Sequence, residues 1–367
     1  MNILLVSGPG ISLKEPYDSG IEAFIVSLAN ELVEQGHRVD VIAGEAESDV
    51  KFNLVNPFRS IFLSKSYFFK GLIEKHQFKS LDTDIYDVVH YNMFYPHLMM
   101  AGLHFCKQSV LTLHSPADKN RVRAYTKLAT LSDITFVSIS SRIKQQWNKA
   151  LGLHTNFISN GIDTRLWNTH GPRNGKYLLW AARINEEKNV RAAINLAKYM
   201  QLPLKIAGRI ADQKYFNENV KPHLSDRIAY VGHVTQQELC GLAKNASSYL
   251  ATATWQEPFG LAALEMLASG VPVVGFNTAV PPDWAHESVL TTPEQHWESL
   301  AELVLKSNAV SSESCRQFAS SMDIKNMTAS YVEFYSNLLY KNAAIYNAKA
   351  LEDVTSPIDS PQLQEIN

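Results

Sequence analysis

The stretch Trp255-Gln-Glu-Pro-Phe-Gly-Leu-Ala-Ala-Leu-Glu265, continuing Met-Leu-Ala-Ser-Gly270-Val-Pro-Val-Val274, carries the densest chemistry in the chain. Glu257 falls in a loop after an apolar strand, and Gly260 opens a helix whose first backbone N–H groups can bind a phosphate. Glu265 lies two turns into that helix. Two carboxylates eight residues apart, one at each end of this element, suit two separate hydroxyl-bearing parts of one ligand. Either acid alone reads as a solvated glutamate; the string around them does not.

Positioning such groups takes a scaffold, and the chain supplies a regular one. Ile3–Val6 is a short apolar run ended by Gly8-Pro9-Gly10, which predicts a buried strand and a loop. Phe24, Ile25, Leu28, Ala29 and Leu32 form a helical stripe, Gly36 stops it, and Arg38–Ala43 begins another strand. Strand, helix, strand makes a right-handed βαβ unit in a parallel sheet. Further buried strands are predicted at 86–91, 109–113 and 134–139. A second series covers 177–181, 204–207, 228–231, 249–251 and 271–275, with helices centred on Ala192, Leu239 and Ala263. The turn-rich stretch Asn168–Gly175 between the series reads as a linker. Two α/β halves with facing parallel sheets place a site in the gap at their strands' carboxyl ends.

Composition fits this picture. At 367 residues, 46% hydrophobic and 19% charged, the chain can build two cores and is not a disordered one. A net charge of -2 argues against bulk nucleic-acid binding. Cys106, Cys240 and Cys315 have no CxxC or metal-like spacing and read as buried reduced thiols. The apolar start is too short for a signal peptide, and no segment reaches the roughly 20 apolar residues of a membrane span, so a cytoplasmic protein is expected.

Glu257 and Glu265 match the E-x7-E element of the retaining GT-B glycosyltransferases. The chain resembles the large family 4 (glycosyl transferases group 1), which includes sucrose-phosphate synthases and many bacterial cell-surface sugar transferases. That family's E-P-F-G-L-x-x-x-E-x-x-A-x-G-x-P-V is met almost in full, and the likeness runs from Ser19-Gly20-Ile-Glu22 to the C-terminal helix. It implies a GT-B fold of two Rossmann-like domains across a cleft: an acceptor-side domain over 1–167 and a nucleotide-sugar domain over 168–323. A helix over about 324–346 should return to the first domain, with Tyr331, Phe334, Tyr335 and Leu338 as its packing face. Residues 351–367 read as a disordered tail.

The resemblance also implies residue roles. Arg183 and Lys188 match G-R-x-x-x-x-K, with Ala182 in the glycine's place; two such cations suit a diphosphate leaving group. Glu265 would bind the ribose hydroxyls and Glu257 the donor sugar, with Phe259, Gly260 and Leu261 lining the sugar and diphosphate through backbone groups. Gly20 would let backbone approach the donor phosphate or the acceptor, with Ser19 where a first glycine is common. His114 would face the donor sugar; His90 is a second lining candidate that a structural role explains equally well. Asn160-Gly-Ile-Asp163 matches the family's N-G-[IV]-D turn and is expected to shape the cleft. The family's later glycine turn and P-E are missing, and Asp283 is the candidate replacement for that glutamate. Asp82-Thr-Asp84 has the D-x-D pattern that holds a metal in another glycosyltransferase class; it reads here as solvated loop acids. Arg183 and Lys188 already supply positive charge, so neither metal nor cofactor is expected.

The implied activity is retaining transfer from a nucleotide sugar, UDP before GDP, onto a glycan or lipid-linked acceptor. A sugar-nucleotide epimerase, a phosphorylase or a catalytically silent partner subunit would share the fold. A dehydrogenase is disfavoured by the lack of any G-x-G-x-x-G after a strand. Between Phe58 and Lys79, five cations (Arg59, Lys65, Lys70, Lys75 and Lys79) and interleaved aromatics face one acid, Glu74. That pattern fits either an amphipathic helix packed on the first sheet or a patch drawn to an anionic membrane, at about 1 kcal/mol per cation. The membrane reading predicts sedimentation with anionic liposomes at low salt, lost at high salt and on changing Lys65, Lys70 and Lys75 to Glu. A wild-type protein that stays in the supernatant at low salt rejects it.

Overall fold

The computed structural model describes residues 1–8, 10–56, 76, 78–79, 81, 85–102, 108–169 and 171–355, with 341–355 described as helical backbone alone. The Asp82–Asp84 triplet, Cys106 and nearly all of the basic segment 58–79 lie outside these. Within that segment, Phe78 is buried against Tyr91, their ring centroids 6.4 Å apart.

The first sheet comprises β1 (Asn2–Val6), β3 (Arg38–Ile42), β5 (Asn53–Val55), β6 (Val88–Tyr91), β7 (Gln108–Leu113), β8 (Thr135–Ser138) and β9 (Asn156–Phe157). All pairs are parallel, in the order β5-β3-β1-β6-β7-β8-β9. The short strands β2 (Ser12–Leu13) and β4 (Glu45–Ala46) pair beside it. The second sheet holds β10 (Tyr177–Ala181), β11 (Leu204–Ala207), β12 (Ile228–Gly232), β13 (Ala246–Ala251), β14 (Val273–Phe276) and β15 (Val289–Thr292). Its order, β12-β11-β10-β13-β14-β15, is that of a dinucleotide-binding Rossmann sheet. The fold is GT-B: two Rossmann-like parallel-sheet domains. The strands β5, β9 and β15 escape the sequence pattern because they are short and partly exposed, which blurs an apolar run.

Parallel strands covered on both faces must be apolar throughout, and Val88-Val-His-Tyr91 is buried at every position. Alternate residues feed different cores: Ile3 and Leu5 meet the Gly20–Glu34 helix, while Leu4 and Val6 join a cluster that continues into the second domain. Ser19 and Glu22 form a capping box that starts this helix, so the serine in place of a glycine has a local purpose.

The chain crosses between domains twice at one place. Ile162 N–H donates to Met322 O at 3.1 Å and Ile324 N–H to Ile162 O at 2.7 Å. A Cβ on Gly161 would lie 2.9 Å from Asp323 O, so the glycine of Asn160-Gly-Ile-Asp163 permits this contact. The helix that follows runs Ile324–Thr355, past both the expected end near 346 and the expected start of a tail at 351. Tyr331 and Tyr335 are fully buried on the first domain, with Phe334 and Leu338 partly buried beside them.

Tyr335 OH lies 2.7 Å from His90 Nδ1, His90 Nε2 lies 2.6 Å from Thr112 Oγ1, and Thr112 Oγ1 lies 3.0 Å from Tyr331 OH. His90 therefore belongs to the anchor of the C-terminal helix, because a buried imidazole must find partners for both nitrogens. Tyr335→Phe should cost about 1–3 kcal/mol in urea unfolding at pH 7, since it leaves His90 Nδ1 without its partner. Truncation after Ser320 should yield insoluble protein.

Candidate active site

A cleft of about 350 Å³ opens between the sheets' carboxyl edges, a volume typical of ligand sites. Gly20, His114, Arg183, Lys188, Glu257, Phe259, Gly260, Leu261 and Glu265 all line it. His90 and Asp283 do not. Asp283, in the turn after Pro281 and Pro282, is exposed and accepts a hydrogen bond from Ser141 Oγ of the first domain at 2.6 Å, so its partner is a first-domain hydroxyl outside the cleft.

Arg183 follows β10 directly. The turn behind it is tight: a Cβ on Gly208, at φ 127°, would sit 1.9 Å from Ala182 O. Lys188 ends the short helical turn Glu186–Lys188, capped by Asn185. Thr252 Oγ1 donates to this turn's carbonyls, 3.1 Å from Lys188 O and 2.9 Å from Asn189 O. Lys188 thus sits beside the loop after β13, where its Nζ pairs with Glu257 Oε1 and lies 5.0 Å from the centroid of the Trp255 ring. Trp255 Nε1 donates to the same carboxylate oxygen at 2.8 Å. The side chains of Lys188 and Glu257 are 13% and 12% exposed, so each charge depends on the other. Arg183 is freer: its side chain is 37% exposed and 3.5 Å from Glu187, a weak surface pair that a ligand can displace.

Gly260, at φ 90°, begins the Leu261–Ala268 helix with no side chain among the described residues capping it, so the first turn lines the cleft uncapped. Phe259 itself points away, edge-on to Trp284 with centroids 5.3 Å apart. A Cβ on Gly20 would lie 2.7 Å from Leu261 Cδ1, so this glycine lets the two domains' walls approach. Glu265 is buried within the helix, and desolvation pushes its carboxyl up to about 7 despite a hydrogen bond from the Gln236 side chain.

On the facing wall, His114 Nε2 lies 3.1 Å from Asn92 Oδ1 and its ring meets Phe24 edge-on. Burial holds it down to about 3, so it is a neutral hydrogen-bonding group at physiological pH. Asn160 also lines the cleft, and its buried Oδ1 has no hydrogen-bond partner among the described residues. Across the opening, Gln236 N–H donates to Glu15 Oε2 at 2.9 Å, His233 Nε2 lies 3.0 Å from Tyr17 O, and Arg209 Nε lies 3.1 Å from Asp18. Asn160 lies in the turn expected to shape the cleft, whereas these cross-cleft contacts carry no local sequence signal, because their partners lie more than 190 residues apart. Among the described residues, Cys315 is buried, Cys240 only partly so, and no group of three or more His, Cys, Asp or Glu is placed to hold a metal ion. No helix among them is long and apolar enough to cross a membrane.

Two family models divide the chain: Glycosyltransferase Family 4 matches residues 19–166 and Glycosyl transferases group 1 matches 166–320. The chain belongs to the group 1 glycosyltransferases. An uncharacterized glycosyltransferase of Methanocaldococcus jannaschii is 27% identical over 298 residues, 70% of this chain and 76% of that protein. The sucrose-phosphate synthase of Thermosynechococcus elongatus shares the fold with a TM-score of 0.75 at 15% identity, covering 93% of this chain and 100% of that one. HepE of Anabaena, solved with UDP and glucose, gives 0.71 at 17% identity, covering 92% and 100%.

The transferase's buried acid has a pH signature. With its carboxyl raised from 4.5 to about 7, folded Glu265 retains a proton that the unfolded chain loses, so its contribution weakens stability as pH rises across that window. His90 and His114, both held down to about 3 by burial, act oppositely, favouring the fold as pH rises from about 3 to 6.5. The Glu265→Gln variant should therefore gain on wild type progressively from pH 4.5 to 7, read as the difference between paired urea titrations.

Proposed function

We propose that this glycosyltransferase moves a hexosyl group from a nucleoside diphosphate sugar to an acceptor hydroxyl with retention of anomeric configuration, uridine before guanosine as the base. The observation that carries this reading is the convergence in one cleft of the Lys188–Glu257 pair, the loosely held Arg183 and the uncapped helix start at Gly260. Diphosphate departure builds negative charge, and these groups are disposed to meet it. Lys188 supplies a point charge, Arg183 a fork for two phosphate oxygens, and the helix start its N–H groups. Glu257 would accept from the sugar's ring hydroxyls and Glu265 from the ribose. The acceptor hydroxyl would attack on the face the diphosphate leaves, passing its proton to the departing phosphate. HepE's complex with UDP and glucose supports the uridine and hexose assignments by likeness. The first-domain wall with His114 and Asn160 is the natural acceptor side, open to a glycan or lipid-linked sugar in cell-surface polysaccharide or glycolipid assembly.

Thermal shift over a panel of UDP- and GDP-sugars, then product NMR of the anomeric centre, tests this reading. One donor should stabilise the fold by mass action, and the product should keep the donor's anomeric configuration. Inversion, or no stabilisation by any nucleotide sugar, rejects it. Lys188→Ala should lower kcat about 10²–10³-fold, as loss of one charge-stabilising donor does elsewhere. Glu265→Ala should weaken UDP binding by about 1.5–3 kcal/mol in calorimetry. Turnover should withstand EDTA, since Arg183 and Lys188 carry the countercharge.

A further inference from the structure

The Ser141–Leu151 helix belongs to the first domain, yet its N-terminus is built into the second domain's active-site loops. Ser140 Oγ donates to Pro258 O at 2.5 Å. Arg142 is half-buried, and its guanidinium is spent on four main-chain carbonyls. Nη1 donates to Glu257 O at 2.8 Å and Thr278 O at 2.9 Å; Nη2 donates to Asn277 O at 2.9 Å and Val280 O at 2.7 Å. Thr278 O also accepts from Glu257 N–H at 2.8 Å, and Thr278 Oγ1 donates to Ala253 O at 2.6 Å. One side chain therefore ties together the loop after β13, which carries Glu257, and the loop after β14. Acceptors arranged in two pairs match a planar fork, whereas an ammonium has three donors radiating from one point.

We propose that Arg142 is a positioning residue for sugar transfer: it fixes the Glu257–Gly260 turn against the first-domain wall that bears His114. This inference rests on the donor assignment above. It separates two parts of donor recognition. Arg183 and Glu265, assigned to the diphosphate and the ribose, stand on the turn after β10 and within the Leu261–Ala268 helix, which Arg142 does not bond. Glu257, assigned to the sugar, stands on the loop that it does. A misplaced sugar with a well-held nucleotide is the expected defect.

The test compares wild type, Arg142→Lys and Arg142→Gln for UDP affinity by calorimetry and for turnover of the donor panel, UDP-glucose included. Arg142→Gln should bind UDP as wild type does while kcat falls about 10²-fold, the scale of a small misplacement of reacting groups. Arg142→Lys should fall between the two, and added guanidinium should partly restore an Arg142→Ala variant. Unchanged kcat in Arg142→Gln overturns the inference alone. Parallel loss of UDP binding and turnover in both the Lys and Gln variants also overturns it, marking Arg142 as general support. If Arg142→Gln does not fold, the Lys variant decides by the same split between UDP affinity and kcat. A wild-type protein that turns over none of the panel removes the donor assignment and this inference with it.

Discussion

The double crossing at Ile162 and Asp323 sets the relation between the two sheets on which every group in the cleft depends. Each sheet presents functional loops only at its strands' carboxyl ends, so the site exists only if those ends face one another. The chain leaves the first domain after Ile162 and returns through Met322–Ile324, and main-chain hydrogen bonds lock the outgoing and returning segments together. Gly161 is what makes the contact possible, since any side chain there would strike the Asp323 carbonyl. The returning helix then buries Tyr331 and Tyr335 against the first sheet, so the chain's end is part of the first domain's core.

Within the cleft, desolvation governs which charges persist. Lys188 and Glu257 are nearly buried and neutralise each other, an arrangement whose members are costly to remove singly. Glu265 meets the same constraint without a cation and responds by holding its proton to about pH 7. His114 responds by staying neutral. On the proposed reading, an arriving diphosphate would compete with Glu257 for Lys188 and find Arg183 little engaged, which would link binding to rearrangement of the pair. The acid–base character of the cleft is therefore set more by burial than by the number of ionisable residues in it.

Much of this was legible from local pattern. Alternating apolar runs and helical stripes mark β1, β3, β6, β7, β8 and most of the second sheet, because a fully covered parallel strand must be apolar at successive positions. The spacing of Glu257 and Glu265, and of Arg183 and Lys188, places each pair on one local element. Folding brings the two elements together through Thr252, whose hydroxyl donates to the Lys188 and Asn189 carbonyls. Strands such as β9 and β15 were not legible, being short and partly exposed, with pairing partners that local sequence does not name.

Residue function divided along the same line. The sequence by itself determined the two α/β halves and the acids and cations with their spacings, because helix caps, strand periodicity and short motifs act within a few residues. The tertiary structure decided the rest. His90 became a structural anchor through Tyr335, 245 residues away; Asp283 turned outward to Ser141; Arg142 reached the Glu257 carbonyl across 115 residues. Such partners are chosen by how two domains pack, and a buried polar group takes whatever partner that packing brings within hydrogen-bonding distance.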